Sequence, residues 1–212
     1  MSLREDMEKA MSEVIKESHV ENVEVANFVK EHFHKIFKHS KKTNTSIKTA
    51  VIESLKGIED GFKAGGYESK ELVQKVASEM LEMSMAAAEK RISAARHTVD
   101  VSKNALNEEL KKANESIDQV KQKTKDEITT AYSKLQEESK TAKEHLSQMS
   151  EGLKEYAEKK SYATLNKIAE KSKEAVYNIK QSAKENNKQL LHHTQGKVAD
   201  WLKNMANKIE QK

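Results

Sequence analysis

The chain has 212 residues, a formal net charge of +4, 34% charged and 36% hydrophobic residues, and neither proline nor cysteine. Without cysteine there is no disulfide frame, thiol nucleophile or thiolate metal site. Without proline nothing removes a backbone N–H from a helix or clashes with its preceding turn. Abundant Lys, Glu, Ala and Gln favour helix by intrinsic propensity. The expected fold is therefore all-α: long amphipathic helices in an elongated hairpin or coiled-coil-like bundle, with a small helical N-terminal unit.

That unit spans residues 1–60. Ser2 and Glu5 have capping-box spacing ahead of Leu3, Met7, Met11, Val14 and Ile15, which predicts a first helix over 2–17. Ser18 and Glu21 repeat the box. The segment that follows, to about His39, holds Val20, Val23, Val25, Phe28, Val29, Phe33, Ile36 and Phe37, the most aromatic stretch of the chain. Phe28, Phe33, Ile36, Phe37, Val51 and Leu55 are expected to share one small core. A polar break at 40–45 precedes a third helix capped by Thr45 or Ser46. Gly57, Gly61 and Gly65 then fall four apart. This is the spacing of a small-residue helix interface, but Glu59, Asp60 and Lys63 intervene, so a helix end and a Gly-rich turn over 61–68 is the expectation.

A long helical region over 69–195 follows. From Leu81 an apolar or small residue recurs through Ile92, Val99, Leu106, Ile117, Ile128, Leu135 and Leu146 to Ala157, in 21 steps over 76 residues. About 3.62 residues per step describes a nearly straight helix, between a heptad and an eleven-residue repeat. Leu135, Leu146, Ala157, Ile168, Ile179, Leu190 and Trp201 sit eleven apart and would share one face of one helix. Gly152 is the only glycine between Gly66 and Gly196, which makes it the expected hinge. Gly196 is expected to set off a basic amphipathic helix over 196–212.

Residues 161–212 hold ten Lys/Arg against five Asp/Glu, so the basic character belongs to the C-terminal quarter. There Leu190, Leu191, Val198, Trp201, Leu202, Met205 and Ile209 form an apolar stripe beside Lys197, Lys203, Lys208 and Lys212. Basic residues flanking an apolar face with an amphipathic tryptophan suit an interfacial helix on an anionic surface. The competing reading packs the same stripe onto the preceding helices.

Other constellations point away from chemistry. His32, His34 and His39 do not share one helix face at ligand spacing, and Met80, Met83 and Met85 have core spacing. The glycines fit no phosphate loop or dinucleotide fingerprint, and no HExxH or nucleophile elbow occurs. No catalytic residue, cofactor or metal site is expected. The most apolar window, 76–88, is too short and too charged to span a bilayer. MSLREDMEKAM carries no secretory apolar run, and the cytoplasm is the expected compartment.

KTAKEHLSQMSEGLKEYAEK and KIAEKSKEAVYNIKQSAKEN resemble the eleven-residue amphipathic repeats of exchangeable apolipoproteins and group 3 late-embryogenesis-abundant proteins, over about residues 106–210. Size and composition are similar to those of bacterial phasins. The resemblance implies helices that coat lipid, granule or other apolar surfaces, or that fold under water stress. The chain departs in lacking proline punctuation and in its thinner apolar face. Expected partners are a second copy, another helical protein, or an anionic membrane or granule surface. The alternatives are a purely structural coiled-coil scaffold and nucleic-acid binding through the basic quarter. Nucleic acid is disfavoured, because the lysines alternate with Glu and no aromatic platform accompanies them.

Overall fold

The computed structural model describes residues 2–17, 22–112 and 117–210; side chains are described through 185 except at 22, 23, 110, 113–117, 120, 121 and 124, and beyond 185 only at Lys188, His192, Asp200 and Lys203. Within these limits the protein is all-α. Its helices are α1 (Leu3–Glu17), α2 (Asn22–Thr43), α3 (Ile47–Ala64), α4 (Ser69–Lys112), α5 (Ile117–Lys160) and α6 (Ala163–Glu210). At about 1.5 Å per residue the last three each run roughly 65–70 Å.

Local signals start the N-terminal helices as expected. The Ser2 N–H donates to Glu5 Oε2 at 2.7 Å and the Glu5 N–H to Ser2 Oγ at 3.3 Å, a closed capping box. Ser46 caps α3 by accepting from the Thr49 N–H at 3.1 Å. The second box, Ser18–Glu21, lies outside the described residues.

Three helices end in the same way. Asn44 (φ 54), Gly66 (φ 78) and Ser161 (φ 55) take left-handed backbone. The next residue's N–H reaches back five positions: Thr45 to Ser40 O, Tyr67 to Phe62 O and Tyr162 to Ala157 O, each at 3.1 Å. This closure satisfies carbonyls that the last turn leaves without partners. At the third end Tyr162 also packs edge-on against Tyr156, with ring centroids 6.2 Å apart.

The turn between α5 and α6 is therefore at Ser161–Tyr162, and the hinge expected at Gly152 is not there. Gly152 lies inside α5, where a Cβ would sit 2.8 Å from Lys48 O and 3.2 Å from Val51 Cβ of α3. It is glycine because two helices approach closely, not because the chain bends. The same correction applies to the glycine run. α3 continues through Gly57 and Gly61 to Ala64, and the turn begins only at Gly65. A Cβ on Gly61 would meet Glu8 O and Met11 Cβ of α1, both at 2.8 Å; one on Gly57 would meet Arg4 O, and one on Gly65 the Ile15 side chain. The four-residue spacing is a small-residue interface after all. Leu3, Met7, Met11 and Ile15, all buried on α1, form the matching ridge.

These contacts run in step along the chain, so α1 and α3 are parallel. α3 and α5 are parallel too: the Ile47 N–H donates to Gln148 Oε1 at 3.0 Å, while Lys160 reaches Glu59. α4 runs antiparallel to α5, with Ser84 bonded to Met149, Arg91 near His145 and Lys123 paired with Glu109. α6 folds back on both, and Arg96 donates to Ser182 across the α4–α6 contact.

One apolar cluster extends from Leu3 through Phe28, Ile36, Val51, Leu55, Met80, Leu146 and Tyr156 to Ile179. Residues 1–60 thus do not close a core of their own; they share one with the long helices. Phe37 packs at its margin, and Phe33 is buried edge-on to Phe37 at 4.9 Å. Met80 is buried while Met83 and Met85 lean on the cluster. The space left between Met7, Phe28, Phe33, Ile58 and Met80 is only about 10 Å³, barely one water's worth. Along α4 and α5 the predicted stripe is the buried side wherever its side chains are described, from Leu81, Ala88, Ile92, Ala95 and Val99 to Leu135, Leu146, Leu153 and Ala157. The eleven-spaced residues do not share one helix. Leu135, Leu146 and Ala157 belong to α5, and Ile168, Ile179, Leu190 and Trp201 to α6. α6 passes Gly196 and ends at Glu210, so 196–212 is no separate helix.

Two substitutions separate hinge from contact. Gly61→Ala gains about 1 kcal/mol of helix propensity but overpacks the α1–α3 seam, at roughly 1–3 kcal/mol; a lower urea midpoint is expected. Gly152→Ala is expected to lower the midpoint likewise and leave the hydrodynamic radius unchanged. A larger radius would put the bend at 152. Ser161→Gly relieves a left-handed residue at a site compatible with glycine, and is expected to raise stability by up to about 1 kcal/mol.

Candidate functional site

The described residues contain one buried charged cluster. Glu59, on α3, is 4% exposed. Its carboxylate takes Lys63 Nζ at 2.8 Å from its own helix, Lys160 Nζ at 3.1 Å from the end of α5, and the hydroxyl of buried Tyr156. Burial alone would raise the Glu59 carboxyl; the hydrogen bonds from Lys63, Tyr156 and Lys160 outweigh it and hold the group below the usual carboxylate range. The same burial, with Glu59 opposite, pushes the Tyr156 phenol far up, so it stays a donor. Nearby, Glu155 is held at about 2 by Lys159 and Lys48, the latter crossing from α3 at 2.9 Å. The cluster ties α3 to the last turn of α5. With two ammonium groups and a phenol on one carboxylate, its chemistry is that of a clamp.

Two of the three clustered histidines meet phenylalanine rings. His32 stacks on Phe28 at 4.3 Å with Nδ1 2.9 Å from Phe28 O, and its burial lowers its pKa. His34 sits edge-on to Phe33 at 5.7 Å. Among the described residues no three His, Asp or Glu side chains are placed to hold a metal ion.

A second feature lies on α6. Lys173, Tyr177, Lys180, Lys184 and Lys188 are all exposed, Tyr177 at 59%. Steps of three or four residues put them on one helix face. The adjoining side, Leu165, Ala169, Ser172, Ala175, Ile179 and Ala183, is buried against α4 and α5. The ridge leads toward the C-terminal segment. Leu190, Leu191, Lys197, Val198, Trp201, Leu202, Lys203, Met205, Lys208 and Ile209 all fall within α6. Of these only Lys203 has a described side chain, and it is exposed; the others' side chains lie outside the described residues.

Net charge by segment sets the basic character in residues 161–212, but it does not single out the ridge upstream of 190. The signal was present as Lys180, Lys184 and Lys188 at one-turn spacing. Tyr177 was passed over because it breaks no pattern.

The chain matches no protein-family model, no curated protein and no solved structure. No described helix is long and apolar enough to cross a membrane.

The clamp makes a pH prediction. Glu59 and Glu155 are both depressed, so what they contribute is complete above the usual carboxylate range and is lost as pH falls toward their folded values. Urea midpoints are expected to drop between pH 4.5 and about 2, the window between the ordinary Glu value and that of Glu155. Tyr156→Phe removes a hydrogen bond to a charged acceptor, a loss of about 1.5–3 kcal/mol at neutral pH. An unchanged midpoint in that variant would show that the two lysines suffice.

Proposed function

We propose that the protein is a non-enzymatic helical bundle of the cytoplasm that associates peripherally with an anionic surface, a membrane or a storage granule, through the exposed lysine ridge of α6. The observation that carries this reading is the exposed ridge of Lys173, Lys180, Lys184 and Lys188 around Tyr177, running toward the basic segment that holds Trp201. Lysines beside an aromatic of mixed polarity suit a headgroup region. Lysines near such a surface contribute about 1 kcal/mol each, and salt screens the attraction.

Sedimentation with vesicles tests it. Binding to anionic but not zwitterionic vesicles is expected, weakening with salt, with Trp201 emission shifting to the blue. Replacing Lys180, Lys184 and Lys188 by Gln should weaken binding on the order of a hundredfold. Vesicles that leave both sedimentation and emission unchanged would remove the surface reading.

One observation favours a second reading, a structural scaffold that self-associates. The described apolar stripes of α4, α5 and the first half of α6 are occupied within the chain, so a second copy would pair through another segment, for which residues 190–212 are the candidate. Sedimentation equilibrium distinguishes the two: a dimer that dissociates when residues 190–212 are removed supports the scaffold.

A further inference from the structure

An open cleft of about 500 Å³ lies between α5 and α6. Five lysines line it: Lys140 and Lys143 from α5, and Lys180, Lys184 and Lys188 from α6. Buried Ala183 lies among them. No aspartate or glutamate is among its described lining residues. Lys140 reaches Glu144 at 3.8 Å, away from the cleft; among the described residues the other four lysines form no ion pair. Five like charges around one concavity repel one another and focus a positive field into it. The fold brings them together because α6 returns along α5 from the turn at Ser161, which sets positions 140–143 opposite 180–188.

We infer that this cleft binds a linear chain of phosphates free in solution. The row on α6 advances about 6 Å per four residues, so Lys180 to Lys188 spans roughly 12 Å. The α5 pair forms a facing row. A row of cations on each side of an open cleft is complementary to an anion that carries charge on every unit along its length. An acidic peptide is less suited, since an extended strand presents one side chain to a given face only every second residue. Lysine binds phosphate as a point charge with three rotatable donors and needs no planar fork. Gln136, Ser139 and Tyr132 complete the lining and offer neutral hydrogen-bond partners. Tyr132 is half-buried and Tyr177 is outside the lining, which argues against bases stacking as in single-strand grooves. The inference does not rest on the surface reading, because it uses the α5 wall, which that reading does not need.

The test is calorimetric titration of the full chain with short inorganic polyphosphate at two or more salt concentrations, with hydrogen exchange to locate the site. Expected are saturable binding, slowed exchange at 132–143 and 180–188, and a steep salt dependence from released counterions. Lys140→Gln with Lys143→Gln should weaken binding about tenfold or more and flatten the salt slope by roughly one per lysine. It should leave the helical circular dichroism unchanged, because Gln is as good a helix former as Lys. Lys180→Gln with Lys188→Gln should do the same from the other wall. Vesicle binding by the α5 variant should persist, so loss of one activity does not imply loss of the other. Equal polyphosphate affinity in wild type and both variants overturns the proposal in favour of general basicity. So does no binding at all. Tighter binding of a single-stranded oligonucleotide of equal charge overturns it in favour of nucleic acid, and binding only to vesicles bearing phosphorylated headgroups assigns the lysines to a lipid surface.

Discussion

Backbone approaches backbone along α3, and the rest of the bundle is arranged by that contact. On one side Gly57, Gly61 and Gly65 let α1 in until Glu8 O and Met11 Cβ lie where a side chain would begin. On the other, Gly152 of α5 admits Lys48 O and Val51. A helix in the middle of a bundle normally holds its neighbours 8–10 Å away, at a distance set by side-chain bulk. Here α3 has two neighbours seated on glycine. That close seating carries Glu59 to Tyr156 and Lys160, and it fixes where α5 ends and where α6 turns back.

The two halves of the long hairpin are held differently. Near α3 the core is made of Met, Phe, Leu and Tyr, where each fully buried side chain contributes about 1.5–3 kcal/mol. Toward the far end the described α4–α5 cluster shrinks to Ala95, Val99, Ala131 and Leu135, and α6 adds Ala175, Ile179 and Ala183. Small residues bring helices together but remove little area from water. The lysine-lined cleft lies against this lightly packed end.

Periodicity carried most of the fold. The stripe from Leu81 to Ala157 identified the buried sides of α4 and α5 because a 3.6-residue period depends only on helix geometry. The capping box at Ser2 and the cap at Ser46 were legible for a similar reason: each is a local hydrogen bond between near neighbours. What the periodicity could not show was where the helix stops. The turn at Ser161 has no glycine or proline, and Tyr162 offers no capping oxygen for α6. Its cause is tertiary: Tyr156 packs against Tyr162, and Lys160 is drawn to Glu59 from a different helix. The glycines misled for the opposite reason. At Gly61 and Gly152 flexibility and close contact give the same letter, and only the partner helix distinguishes them. The candidate surface was half legible, since net charge by segment is visible in the sequence. The meeting of Lys140 and Lys143 with Lys180 to Lys188 was not, because it needs the position of that turn.

The parallel pairing of α3 with α5 also sets an order of assembly. A hairpin neighbour arrives within a few residues, but a parallel partner must wait for a return helix to be completed first. Glu59 receives Lys63 from its own helix at once, yet Tyr156 and Lys160 lie 97 and 101 residues further on. Closing so long a loop adds little to the equilibrium cost, about 0.6 kcal/mol per doubling of length, and much more to the time required. During synthesis α1, α2 and α3 can therefore meet early, while one flank of α3 stays wet around a half-bonded carboxylate. The emergence of Lys160 completes that flank. The chain thus carries a late checkpoint, near three-quarters of its length, at which its first three helices acquire their final neighbour.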